Sequence, residues 1–236
     1  MDLIVNVGRW LLDPAHWDGP AGVPARLLEH VEISVASLTI AALIGLPIGL
    51  WIGHTGKGAS FAINLANLGR AIPSIAAIGI VVPFTQAIDP DAGFKIYPTV
   101  IAMVVLAVPP ILVNAYTGIA GVDRELVEAA RGMGLRERQI LGGVELPLAA
   151  PVVLTGIKSA AIQVIATATL GAIYGFGGFG SYVVLGLAQN DDAMLFSGVV
   201  LVALLALGAE GGLSLLQRAI VSPGLRRRSS AAAPAA

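Results

Sequence analysis

Residues 96–122 read IYPTVIAMVVLAVPPILVNAYTGIAGV. The run carries no charged residue, and it exceeds the roughly 20 apolar residues that cross a bilayer core. Its solvent is therefore lipid. Pro109-Pro110 stands in the middle, where two missing backbone donors bend a helix. In lipid such a break persists only where neighbouring helices or a cavity satisfy the freed backbone groups. Pro109, Pro110, Asn114 and Tyr116 are thus candidate lining residues of a pathway or gate.

Similar runs lie on either side. Ile33–Gly53 is uncharged, with Gly45 and Gly49 at the spacing that lets helices approach closely and Pro47 as a kink. Ala71–Ile88 is uncharged and carries Pro73, a further gate candidate, near its start. Pro147–Tyr174 holds one charge, Lys158, and Ala193–Leu216 holds Glu210. Ionisable residues in spans are costly and often functional. Here the alternatives are an intramembrane pair, Lys158 with Glu210, or snorkelling of each to the interface. Composition agrees with a membrane protein: 56% hydrophobic and 12% charged, against about 25% charged in soluble domains. Mean hydropathy is +0.83.

The expected fold is all-α and polytopic, with five core spans. Residues 1–30 form an N-terminal interfacial or extracytoplasmic segment, in which Leu3–Leu12 reads as a short helix, Trp10 and Trp17 as headgroup anchors, and Val23-Pro24 as a turn. Residues 31–220 form the membrane domain, with a polar loop at 123–145. Residues 221–236 form a basic, disordered tail. The start Met1-Asp2 lacks the basic flank of a signal peptide. The segment Ala59–Gly69, with Asn64 and Asn67, leaves the count open: as a separate span it makes six. Asn64, Asn67, Asn114 and Gln163 read equally as pathway polars or interhelical hydrogen-bonders.

Charge placement gives orientation. With the 123–145 loop in the cytosol, that side holds Lys57, Arg124, Arg131, Arg136, Arg138, Arg218 and Arg226–Arg228, nine basic residues, against Arg9, Arg26 and Lys95 opposite. This fits the positive-inside rule. Five spans then place the N-terminus outside and the C-terminus in the cytosol.

Several chemistries are excluded. There is no cysteine, so thiol catalysis and cysteine metal sites fall away. His16, His30 and His54 have no ligand spacing, so no metal site is expected. An intramembrane enzyme needs a nucleophile with a base, and Ser159 and Ser181 have none; no catalytic residue is assigned. The turn Gly175-Phe176-Gly177-Gly178-Phe179-Gly180 lacks the Lys-Ser/Thr of a P-loop. Gly177 and Gly178 read instead as part of a tight turn or gate. Arg226–Arg228 reads as a topological anchor, with no nucleic-acid partner.

The loop itself continues as EAARGMGLRERQILGGVELP over residues 128–147. Asp123 is an N-cap and Glu125 an acid in the first turn. Leu126, Ala129, Ala130 and Met133 fall on one helical face. Gly134 suits a C′ stop. A second short helix covers 135–141, Gly142-Gly143 ends it, and Val144-Glu145-Leu146 is extended before Pro147. Taken from physics alone, the segment is either a docking element or an ordinary surface loop.

The spacing of Glu128-Ala129-Ala130, Gly134, Val144 and Leu146-Pro147 resembles the signature loop of permease subunits of ABC importers, the binding-protein-dependent inner-membrane component family; Val144 replaces the usual isoleucine. The resemblance implies a type I permease fold and a non-enzymatic transport role. It also implies that Glu128, Ala129, Ala130, Gly134, Val144, Leu146 and Pro147 couple to a cytosolic ATPase dimer that binds ATP and Mg, leaving this chain without a cofactor. Ala71-Ile72-Pro73-Ser74, Asn114–Ile119 and Gly175–Gly180 resemble the branch that imports glycine betaine, choline, carnitine and proline betaine. The implied partners are a second permease chain, identical or paralogous, and a separate extracytoplasmic binding protein. The implied location is a bacterial or archaeal cell membrane. Import of another small solute, such as an amino acid, and a purely structural membrane adaptor are the competing functions.

Overall fold

The computed structural model describes residues 2–60, 63–64 and 73–221. In order, the helices are α1 (Asp2–Leu12), α2 (Val23–Thr55), α3 (Ser74–Gln86), α4 (Ala92–Lys95), α5 (Tyr97–Ala120), α6 (Arg124–Gly132), α7 (Glu137–Ile140), α8 (Leu146–Gly171), α9 (Gly180–Gln189) and α10 (Asp192–Ile220). Among the described residues, four helical stretches have the length and apolarity to cross a membrane: Val23–Thr55, Ala92–Ala120, Glu137–Tyr174 and Asp192–Ile220.

The second expected span is corrected. Its described part is α3, 13 residues long, or about 20 Å at the rise of an α-helix, short of a hydrocarbon core of about 30 Å. Pro73 opens it. After it, Asp89 Oδ1 accepts from the amides of Asp91 and Ala92 and turns the chain into α4. Asn67 and most of the 59–69 segment, like Arg226–Arg228, lie outside the described residues.

Helix α2 starts ten residues before the expected span. Val23 and Pro24 open it rather than forming a separate turn, because proline in the first helical turn has no hydrogen bond to lose. Helix α5 lies at the centre and packs along both α2 and α8. Glycines set these approaches. A Cβ on Gly49 would stand 2.6 Å from the Leu112 carbonyl oxygen, and one on Gly53 2.6 Å from Ile119 Cβ. Across the other face, a Cβ on Gly156 would stand 2.8 Å from Pro110 O. Lipid offers little hydrophobic drive between helices, so such van der Waals contact is what holds them.

Helix α5 runs unbroken through its double proline. Pro109 and Pro110 are buried, among Ala107, Ile111 and the neighbouring faces of α2 and α8. They belong to the chain's own core. Asn114 Nδ2 donates to Pro110 O at 2.8 Å. Trp10 is a second correction. Rather than anchoring in headgroups it is buried against Tyr182, Val23 and Leu201, its ring stacked on His16. Trp17 is half-exposed and donates through Nε1 to Leu11 O.

Candidate functional site: the loop between α5 and α8

Asp123 caps α6 by accepting from the Glu125 amide at 2.9 Å. Gly134, at φ +85°, closes the helix. Its amide donates to Arg131 O, and the Leu135 amide reaches back to Ala130 O, the paired bonds of a Schellman stop. The left-handed backbone there is open to glycine at little cost and to a branched residue at a large one.

The expected apolar face of α6 divides in two. Val127 and Ala130 turn inward and pack with Ile119, Ile140, Ala149 and Val153. Leu126, Ala129 and Met133 turn outward together with Glu128, and Met133 is 75% exposed. Ala130 therefore belongs to the loop's own core, and the stripe open to a partner is Leu126, Ala129 and Met133.

Past α7 the chain departs from expectation again. Gly142-Gly143 does not end the helix, and Val144–Leu146 is not extended. Residues Leu141–Glu145 form a π-helical turn that runs directly into α8, and Leu146 is helical at φ −63°, ψ −44° although a proline follows. Pro147 sits in the first turn of α8, where a missing donor costs little, and Leu146 adopts helical geometry despite the usual bias of the residue before proline. Val144 and Leu146 pack against the same cluster as Val127 and Ala130. Helix α7 and the span are one continuous helical body, with α6 packed on it.

A chain of charges crosses this body. Arg131 donates twice to Glu137, at 2.8 and 3.0 Å. That bond holds the Glu137 carboxyl below the usual carboxylate range and raises the Arg131 guanidinium further. Glu137 Oε2 also faces His54 Nε2 at 3.1 Å, and His54 Nδ1 meets Glu145 Oε2 at 2.5 Å. Glu145 is 3% exposed. Nothing in local spacing signals this group, because His54 and Glu145 are 91 positions apart and meet only through the fold.

At the opposite end of α8 lies the glycine-rich turn. Gly175 and Gly178 take positive φ. The Gly178 amide donates to Glu29 Oε2 at 2.7 Å, and the Phe179 amide to His30 Nδ1 at 3.2 Å. An accepting Nδ1 makes Nε2 the protonated nitrogen, and Nε2 donates to Ile165 O at 3.0 Å. The buried His30 thus pins the turn to α2 and α8 at once. Gly178 is buried and Gly177 half-buried. Beside them a cleft of about 500 Å³ is lined by Glu29, Glu32, Lys95, Phe176 and Gly177. Of the other gate candidates, Pro73 is exposed at the start of α3, while Asn114 and Tyr116 are half-buried. The expected Lys158–Glu210 pair is not formed. Lys158 Nζ donates to Ser214 Oγ at 3.2 Å, and Glu210 is exposed.

The family model for the binding-protein-dependent transport system inner membrane component matches residues 45–227. The chain belongs to that family. It is a multi-pass permease subunit. The permease is 33% identical over 202 residues to the choline transport system permease protein OpuBB of Bacillus subtilis, covering 86% of this chain and 90% of that one. It is 31% identical to the carnitine transport permease protein OpuCB of Listeria monocytogenes, covering 84% and 88%. It is 30% identical to the osmoprotectant import permease protein OsmW of Salmonella typhimurium, covering 91% and all of the relative. In fold it is similar to a chain of the inward-facing MetNI methionine ABC transporter, with a TM-score of 0.74 at 22% identity over 85% of this chain and 96% of that one.

Proposed function

We propose that this permease is the translocation subunit of an ATP-driven importer of quaternary-amine osmoprotectants: glycine betaine, choline, carnitine or proline betaine. The observation that carries the coupling half is the outward stripe of Leu126, Ala129 and Met133, with Glu128 beside it, on α6, whose inner face packs on the loop core that α7 carries through the π turn into a span. A cytosolic ATPase dimer docks on that stripe, binds ATP and Mg, and supplies the chemistry that this chain does not perform. Gly134 fixes the docking helix, and Val144, Leu146 and Pro147 weld it to α8. Ala130 acts from inside, by letting α6 lie close on the loop core. Two permease chains enclose the pathway, and a separate binding protein delivers solute at the outer face. The basic loop faces the cytosol, with the N-terminus outside and the C-terminus within. The solute class is supported by the names of the curated relatives; Pro73, Asn114, Tyr116, Gly177 and Gly178 remain the gate candidates.

The test is uptake of radiolabelled solute by the reconstituted importer with its ATPase and binding protein. Glu128→Lys leaves membrane insertion intact and severs uptake from hydrolysis. Wild-type uptake by that variant, with normal ATPase stimulation, counts against the docking role. Uptake of an amino acid in preference to betaine or choline replaces the solute assignment.

A further inference from the structure

The geometry points to His54 as a positioning residue that ties the end of α2 to the coupling loop, so that α2 moves with the loop as one body; this rests on the importer reading above. Helices α5 and α8 are joined to the loop by the chain itself. Helix α2 is not. It meets the loop through side chains, and among the described residues the ion pairs across that junction are those of His54 with Glu137 and Glu145.

Burial makes this contact more than a surface pair. Glu145 lies 3% exposed in the π turn, and a buried carboxylate left without its partner is strongly destabilising. The stereochemistry is equally restrictive. Both ring nitrogens of His54 face carboxylate oxygens, which only accept when ionised. The ring bridges Glu145 at the start of α8 and Glu137 on α7, and Glu137 is itself gripped by Arg131 of α6. A displacement of α6 therefore passes through Arg131, Glu137 and His54 into α2. Helix α2 in turn lies directly against α5 at Gly49 and Gly53, where no side chain fits between them.

The deciding experiment measures uptake per ATP hydrolysed in the complete reconstituted importer. His54→Ala and Glu145→Gln each lower that ratio by about tenfold, within the usual span of coupling effects, while the ATPase still co-purifies. The His54→Ala, Glu145→Gln double variant is no worse than either single change, and because it removes the buried charge together with the tie it serves where His54→Ala fails to fold. His54→Lys, which places a cation opposite Glu145, restores part of the ratio. A wild-type ratio in the double variant, or losses that add, overturns the proposal. A readout independent of transport separates this from failure of the importer reading. The chain has no cysteine, so spin labels at Lys57→Cys and Arg138→Cys report the α2–loop distance in the full chain in nanodiscs. That distance is narrow with His54 and broad in His54→Ala; an unchanged distribution in His54→Ala overturns the tie even if no solute is ever imported.

Discussion

Gly49 has no room for a side chain, since the nearest α5 carbonyl oxygen would lie 2.6 Å from its Cβ. Gly49→Leu must push α2 away from α5, and overpacking of this kind costs about 1–3 kcal/mol. The expected result is a lower thermal midpoint of the purified chain in detergent. Gly208→Ala is the control. Nothing lies within 4 Å of the Cβ it would add, and alanine is the better helix former, so the midpoint holds or rises slightly. The 45/49 spacing was legible in the sequence as a close-packing face, and Gly134 as a helix stop. His54 and Glu145 were not, because a pair assembled from distant segments has no local period to read. The same limit applies to Lys158: a charge within an apolar run invites a charged partner, yet the available hydroxyl of Ser214 serves it.

Element boundaries were hardest to read where two local rules conflict. Before Pro147, the steric rule for the preceding residue argued for extended chain, and the first-turn preference of proline argued for helix. The helix prevails, entered through the π turn at Leu141–Glu145, and no residue pattern announces that turn. Its consequence is mechanical continuity from α7 into α8. Gly134 is the complementary break. Gly134→Val forces a branched residue into φ +85°, at a cost of roughly 1–2 kcal/mol, and the Schellman bonds to Ala130 and Arg131 give way first. Amide exchange at Leu135 should accelerate while exchange within α8 stays slow. The Arg131–Glu137 bond adds a pH dependence with a definite sign. A carboxyl held low contributes stability above its ordinary range, and that contribution is lost as the pH falls through its lowered value. The α6–α7 packing should therefore keep constant exchange protection near neutrality and lose it only in acid, below the ordinary glutamate range of about 4.3; loosening on mild acidification, between neutrality and about pH 5, would show that another group governs it.

For the molecule as a whole, composition and uncharged runs sufficed for an all-helical membrane protein, and four of the five expected spans are found among the described residues. The shortfall at α3 has a physical origin: an uncharged run measures solubility in lipid, whereas helix length is decided by punctuation, here Pro73 and the Asp89 turn. The inward half of α6 was equally hidden, since a helical wheel cannot say which side of an apolar face meets its own protein. At this scale the solute is the open quantity. If the cleft beside Gly177 gates the route, Gly177→Leu, whose Cβ would collide with Glu29 and Arg26, should lower maximal uptake while the proposed binding protein retains its solute affinity; calorimetry on that protein and transport by the complex separate the two.

The helical stretch Glu137–Tyr174 contains 38 residues, which at helical rise makes a rod of roughly 55 Å, nearly twice the depth of a hydrocarbon core. One end carries the ion-paired Glu137, and the other runs into the turn that His30 clamps. If the importer reading holds, a tilt imposed at the Glu137 end would reach the glycine-rich turn with the same angle and the opposite direction, as in a rocker arm.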